Sequence, residues 1–254
     1  MPRYRLDVEY SGTPYCGWQR QAGSPSVQQA IEEAIENFAH HPVRLHAAGR
    51  TDTGVHAEGQ VAHVELVREW EAETVRRAIN AGLLRSGDAV AVRRATRVDD
   101  QFHARFSATA RHYRYAIVDR NWPVTTGRDL VWWVPTQSPL DVAAMAAAAA
   151  HLTGRHDFTT FRAAQCQADS PVRTLDRLEV TREGERIVVH ASARSFLHHQ
   201  VRSMVGALKM AGTGRWSPND VRVALAATDR QRCPAMAPPG GLSLIGVDYP
   251  DHWQ

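Results

Sequence analysis

Arg50, Asp52 and His56 stand together in the stretch Ala47 to Val64, AAGRTDTGVHAEGQVAHV. A carboxylate set between an arginine and a histidine is equipped for a narrow range of chemistry. Flanking positive charge favours the ionised form, so Asp52 is expected to stay a carboxylate. Such a group attacks as a nucleophile or takes a proton, and does not donate one at neutral pH. Arg50 and Asp52 are two residues apart, so in an extended segment their side chains leave on one face and can pair. Gly49, Gly54 and Gly59 permit a positive φ or the close approach of a second backbone, which a loop holding a ligand against its main chain requires. The same residues also make an ordinary surface turn, in which Asp52 bonds its own backbone and an exposed Arg–Asp pair contributes under about 1 kcal/mol.

A second stretch, Asp99 to Tyr115, DDQFHARFSATARHYRY, interleaves Arg105, Arg111 and Arg114 with Phe102, His103, Phe106, His112, Tyr113 and Tyr115. Arginine among aromatics is the composition of a surface that holds phosphates while stacking bases. Strand alternation also assigns Phe102, Phe106 and one of the two tyrosines to a core. Tyr113 and Tyr115 share a strand face. The position of Tyr113 at the strand start makes it the one that reaches into a cleft.

These residues need elements to position them. Tyr4 to Tyr10 reads as a strand, followed by the Gly-, Pro- and Ser-rich loop SGTPYCGWQRQAGSPS. Ser26 caps a helix whose apolar positions Val27, Ala30, Ile31, Ala34, Ile35 and Phe38 recur at helical spacing. Strands at Val43 to Ala48 and Gln60 to Val67, a helix at Glu73 to Leu83 and a strand at Ala89 to Thr96 complete a β-α-β-β-α-β unit of the ferredoxin-like kind, with one sheet face left free for a substrate. The second half repeats the order: a strand at His112 to Val118, a helix at Leu140 to Leu152, a hairpin of Leu175 to Thr181 with Arg186 to Ala193, a helix at Phe196 to Met210 and a strand at Leu242 to Val247. A short capped helix lies at Ser217 to Ala227, and Asp119 to Pro139 and Gly154 to Arg173 are long polar insertions. The expected fold is therefore α+β: two ferredoxin-like, RRM-like halves, residues 1–105 and 106–254, related by a pseudo-twofold with sheets joined edge to edge. The cleft between them is the natural place for Asp52.

At 254 residues the chain can bury a substantial core, and 43% hydrophobic with 22% charged residues is a globular composition. Lys and Arg number 30 against 27 Asp and Glu, and every basic residue except Lys209 is arginine. A GC-rich genome produces that bias regardless of function, so it weighs only where arginines cluster with aromatics. Cys16, Cys166 and Cys233 form no CxxC pair, so neither a disulfide framework nor a zinc knuckle is expected, and a reducing cytoplasm fits. No HExxH occurs among the 13 histidines and no metal site is expected; no span approaches about 20 apolar residues, so no membrane segment is expected either.

Six motifs in order carry a resemblance: EYSGTPYCGWQRQ, GRTDTGVHAEGQVAH, FHARFSATARHYRY, FRAAQCQ, FLHHQVRSMVG and GLSLIGVDYP. Together they span nearly the whole chain and resemble the bacterial tRNA pseudouridine synthase A family. The resemblance implies a cofactor-free homodimer that isomerises uridines in the tRNA anticodon stem-loop at positions 38, 39 and 40. By position Asp52 matches the family's nucleophile and Tyr113 its active-site tyrosine. The chemistry agrees, because uridine and pseudouridine have the same atoms and the change requires only that the base leave the sugar through N1 and return through C5. The carboxylate attacks either C6 of uracil or C1′ of the ribose. Arg50 is assigned to keep Asp52 charged, Arg202 to supply a second positive group, Leu244 to form apolar wall, and Tyr113 to replace the lost base stack.

Two other readings compete: an RNA-binding module without catalysis, and a hydrolase using Asp52 with His56. The first lacks the K/R-G-F/Y-G/A-F-V-x-F/Y pattern, and the second yields a cleaved product of different mass. If Arg105, Arg111, Arg114 and Arg202 contact phosphates, the logarithm of tRNA affinity falls with the logarithm of salt by about one unit of slope per contact. A binding titration across salt concentrations checks this, and an affinity indifferent to salt removes the electrostatic part of the reading.

Overall fold

The computed structural model describes residues 1–253. In chain order the elements are β1 (Arg3–Tyr10), α1 (Val27–Ala39), β2 (His46–Ala47), β3 (His56–Glu65), α2 (Ala72–Ser86), β4 (Val90–Val98), β5 (Ala110–Val118), β6 (Trp132–Trp133), α3 (Val142–Ala150), β7 (Gly154–Asp157), β8 (Val172–Glu183), β9 (Arg186–Ala193), α4 (Gln200–Gly212), α5 (Pro218–Ala226) and β10 (Leu242–Asp248). The described residues thus form a mixed α+β fold with mostly antiparallel strands and five α-helices. They divide into two compact units, residues 1–111 with 243–253, and residues 112–242. This packing division differs from a cut at 105/106 chiefly in β10, which pairs in parallel with β3 and so belongs with the first unit.

In the first unit β1 is central, antiparallel to both β3 and β4, and the short β2 flanks β3. Tyr4, Leu6, Val8 and Tyr10 of β1 are all buried, as a period of two requires of the core-facing residues. Helices α1 and α2 pack against each other, burying Val27, Ile31 and Ile35 of the first and Val75, Ile79 and Leu83 of the second. Ser26 caps α1, its hydroxyl accepting from the Gln29 N–H at 3.3 Å.

The opposite sheet face is not left free. Val61, in register with Asp7, gathers Ala48, Phe102, Ala104, Ala108 and Tyr249 into a second small core. The Tyr249 hydroxyl closes it by donating to the Ala104 carbonyl at 2.6 Å. Phe102 is fully buried there, whereas Phe106, four residues on, is 72% exposed.

Several boundaries differ from the sequence reading for identifiable reasons. Strand β2 keeps only His46 and Ala47 because the Leu45 N–H is taken by the Glu32 carboxylate at 3.0 Å instead of by a ladder partner. Strand β3 begins at His56, not Gln60, since Tyr10 pairs with Ala57 on one side and Ser243 and Leu244 pair with His56 and Ala57 on the other. Helix α4 starts at Gln200, not Phe196. His199 sits in the left-handed region at φ 65°, and the Gln200 side chain accepts from the Leu197 N–H at 2.8 Å, so the preceding residues form a turn.

In the second unit β5 neighbours β9, β9 pairs antiparallel with β8, and β8 with β7. Part of the insertion at 154–173 is therefore ordered as an edge strand. Strand β6, inside the other insertion, runs parallel to β5. Helix α4 is buried on nearly every side, including Val201, Met204, Val205 and Leu208, and a capping box of Ser217 and Asp220 opens α5.

His63 on β3 shows how the first unit constrains ionisation. Its ring is 3% exposed, stacks on His46 at 5.0 Å, and accepts the Ala104 N–H on Nδ1 at 3.1 Å. Burial, with the nearby His103, His46 and Arg3 outweighing Glu65, pushes its pKa from 6.5 to about 3. The unfolded chain therefore takes up a proton as pH falls below about 6.5 while the folded chain holds His63 neutral, and stability present above that pH is lost progressively toward about 3. His63→Gln, which keeps an acceptor without the titration, is expected to flatten the loss of unfolding free energy between pH 6.5 and 4.5 in denaturant titrations.

Candidate active site

Asp52 lies on the loop between β2 and β3, half-buried between the buried Thr51 and the exposed Thr53. The loop is held on several sides. From the loop after β1, the Trp18 N–H donates to the Thr51 carbonyl at 3.0 Å, and the Tyr15 carbonyl accepts from the Gly54 N–H at 3.3 Å. From β1 itself, the Tyr10 hydroxyl shares a 2.8 Å hydrogen bond with the Thr51 hydroxyl. Burial pushes the Tyr10 phenol up to about 12, so that group stays protonated. From β3, the Gln60 amide donates to the Gly49 carbonyl at 2.8 Å. Past Asp52 the chain turns, with the Val55 N–H on the Asp52 carbonyl at 3.1 Å.

Two of the three glycines have backbone reasons to be there. Gly54 occupies the third position of this turn at φ 75°, where an L side chain is strained. A Cβ on Gly59 would sit 2.5 Å from the Ile245 carbonyl oxygen of β10. Gly49 has neither a positive φ nor a close neighbour.

Arg50 is exposed, and no ion pair joins it to Asp52 among the described residues. Strand β2 ends at Ala47 and the chain bends at Ala48 and Gly49, so the regular extended geometry that would bring the two together stops before Arg50. His56 is 4% exposed and its Nδ1 accepts from the Gly12 N–H at 3.1 Å. It anchors the loop after β1, which disfavours its use as the acid or base of a hydrolase. Leu244 is fully buried on β10 opposite Ala57.

The arginines of the second stretch separate. Arg111 is 8% exposed, and its guanidinium donates to the Ala48 and Arg105 carbonyls, each at 2.7 Å. It ties the start of the Asp52 loop to the 102–108 segment instead of offering its charge to a surface. Arg105 is exposed, with its guanidinium 5.4 Å from the Phe106 ring centroid; Arg114 is half-buried on β5.

In the second unit Tyr113 is half-buried, packed edge-on to Phe196 with ring centroids 5.2 Å apart. Tyr115, on the same strand face, is fully buried, its hydroxyl donating to the Pro238 carbonyl at 2.7 Å. Arg202 is 8% exposed. Its Nε donates to the Ala237 carbonyl at 2.9 Å, and its own carbonyl accepts from the Ala237 N–H at 3.1 Å. Helix α4 and β5 thus clamp the same 237–238 segment.

Sequence reasoning gave no role to the side chains that hold the loop. Besides Tyr10 and Thr51, these include a buried network in which the Gln28 amide donates to Glu32 at 2.8 Å and its carbonyl accepts from Gln19 at 2.8 Å and from the Arg20 N–H at 3.0 Å. The usable signal was Trp18, a large aromatic inside a Gly- and Pro-rich loop, here 2% exposed.

A tRNA pseudouridine synthase family profile matches residues 8–107 and 148–250. The chain is 59% identical over 250 residues to the tRNA pseudouridine synthase A of Mesorhizobium japonicum, a match covering 98% of this chain and 100% of that one. It is 58% identical over 251 residues to that of Methylobacterium nodulans, covering 99% and 97%, and 53% identical over 249 residues to that of Sinorhizobium fredii, covering 98% and 100%. No helix among the described residues is long and apolar enough to cross a membrane. With its full length matched and a carboxylate set on a braced loop, the chain belongs to the tRNA pseudouridine synthase family and is an isomerase that converts uridine to pseudouridine.

Proposed function

We propose that this isomerase acts on uridines 38, 39 and 40 of the tRNA anticodon stem-loop, with Asp52 as nucleophile, as a cytoplasmic homodimer that needs no cofactor. The observation that carries the reading is the loop around Asp52, whose backbone is fastened to β1, to the loop after β1 and to β3 while the carboxylate itself remains half-buried. A nucleophile held this way meets its target without a reorganisation cost at the moment of reaction.

The Asp52 oxygen bonds to C6 of the ring or to C1′ of the ribose. The N1–C1′ bond breaks, the freed base turns, and C5 bonds to C1′. On the C1′ route the Asp52 O–C1′ ester bond breaks as the C5–C1′ bond forms, and on the C6 route the Asp52 O–C6 bond breaks after it; the C5 proton then leaves and N1 gains a proton, so the atoms balance without a second reactant. Tyr113 stacks on the extruded base, Arg50 and Arg202 supply positive charge near the reacting carboxylate and the phosphate, and Leu244 backs the site as apolar wall. Phosphate contacts fall to Arg105 and Arg114, since the Arg111 guanidinium is engaged on carbonyls.

The fold is part of the same proposal. The element order of the first unit, with β1 between β3 and β4 and β2 beyond β3, supports a ferredoxin-like half carrying the nucleophile loop, residues 1–105. Residues 106–254 form a second such half with insertions.

Asp52→Asn keeps the shape and removes the charge. Folding and tRNA binding are expected to survive, whereas release of tritium from C5-labelled uridine in tRNA is expected to disappear, because an amide is a far weaker nucleophile than a carboxylate. Tritium release by this variant at the wild-type rate excludes Asp52 from the mechanism.

A further inference from the structure

Phe106 is a large aromatic held out in solvent, 72% exposed, on a turn that is anything but loose. The His103 N–H donates to the Ser107 hydroxyl at 3.0 Å, and the Ser107 N–H returns to the His103 carbonyl at 2.9 Å. His103 Nδ1 accepts from the Arg105 and Phe106 N–H groups at 3.2 and 3.3 Å. The Ala104 N–H and carbonyl are bonded to His63 and Tyr249, and the Arg105 carbonyl accepts from Arg111. A ring on a mobile loop can be exposed by chance. Here the backbone that presents it is satisfied bond by bond, so the exposure is built in.

The ring does not stand alone. His103 lies 4.4 Å from Phe106, His63 4.6 Å from His103, and His46 5.0 Å from His63, all centroid to centroid. This group of rings leads from the buried sheet to solvent, His46 being exposed and His103 half-buried. Arg105 lies over the Phe106 ring, and Arg44 and Arg50, on either side of β2, are exposed.

We propose that Phe106, with His103 and His46 beside it and Arg105 above it, is a stacking platform for an unpaired nucleobase of the tRNA other than the uridine being isomerised. The inference rests on tRNA being the substrate and adds a second point of contact to it. The occupant follows from size and charge. One exposed phenyl ring with imidazoles and arginines matches the flat face of a base and its phosphate, while a second protein copy needs a contact area of about 800 Å² a side with an apolar centre. Arg111, bonded to both the Arg105 and Ala48 carbonyls, couples this turn to the nucleophile loop. Asp52 is four residues beyond Ala48, at most about 14 Å along an extended chain, so the base on the platform belongs to the same tRNA molecule as the target uridine.

The test uses the full-length protein and an unmodified, fluorescently labelled tRNA transcript, with Phe106→Ala, Phe106→Leu and Phe106→Trp. Loss of one base stack is expected to weaken binding by about fivefold or more in the Ala and Leu variants and to raise KM for tritium release with kcat retained, while Trp restores both. Unchanged affinity in Phe106→Ala overturns the platform. So does a Trp variant as weak as Ala, or a loss of affinity that accompanies a change of oligomeric state in sedimentation, which would make the face a contact between copies. Thermal unfolding of each variant verifies the fold, and Leu preserves apolar bulk should Ala disturb it. Wild-type protein that releases tritium at the full rate from a transcript lacking uridines at positions 38, 39 and 40, and binds it in a Phe106-dependent way, counts against the anticodon-loop reading and leaves the platform standing.

Discussion

Everything in the first unit depends on one requirement: a loop that carries a half-buried carboxylate must have its own backbone groups satisfied, or the loop will not stay where the carboxylate is needed. A buried N–H or carbonyl without a partner costs roughly 1 to 3 kcal/mol, and the residues flanking Asp52 include the buried Thr51 and Val55. The chain meets the requirement by folding a second irregular segment, residues 11–18, against the first. Trp18 and Tyr15 supply a donor and an acceptor from their main chains, and Gly12 donates to His56. Neither loop has regular secondary structure to rely on, so each supplies the other's missing partners.

That mutual support is itself anchored deeper. The Gln28 N–H on α1 donates to the Trp18 carbonyl, and the Gln28 side chain then binds Glu32, Gln19 and the Arg20 N–H. Glu32, buried beside it, also receives the Leu45 N–H and the Arg20 guanidinium. A fully bonded polar cluster inside a core fixes one arrangement, because any slip leaves a buried charge or amide unpaired. The cluster reaches both the 11–20 loop and the segment entering β2, which are the two ends of the support around Asp52.

Much of this was legible in the sequence and the illegible part has a physical cause. Helices α1, α2 and α5 follow from periodicity and capping residues, and the hairpin of β8 and β9 from two apolar runs about a Gly turn. Those are local signals. The truncation of β2 and the late start of α4 come from side chains, Glu32 and Gln200, that compete for backbone N–H groups, and no local pattern announces which distant group a carboxylate will bind. The loop that carries Asp52 was legible because Gly, Thr and Asp cluster there between two strand-like runs. Tyr10, Thr51 and Gln28 were not, because tyrosine in a strand and glutamine in a helix look the same whether they brace a loop or face water.

Phe102 and Phe106 make the same point most sharply. Four residues apart in one motif, they read alike in composition and alternation, yet one is fully buried against Tyr249 and the other projects into solvent. The difference arises from the turn between them. Its bonds to His63, Ser107 and Arg111 reverse the chain and leave only Phe102 facing the second core. Arg111 is decisive here, because a single buried guanidinium bonds carbonyls from two segments distant in sequence. Its planar fork can satisfy several acceptors at once, which the point charge of a lysine does not reproduce. In a chain with a single lysine, some arginines therefore serve the interior, and the sorting is done by which carbonyls the fold leaves unpaired.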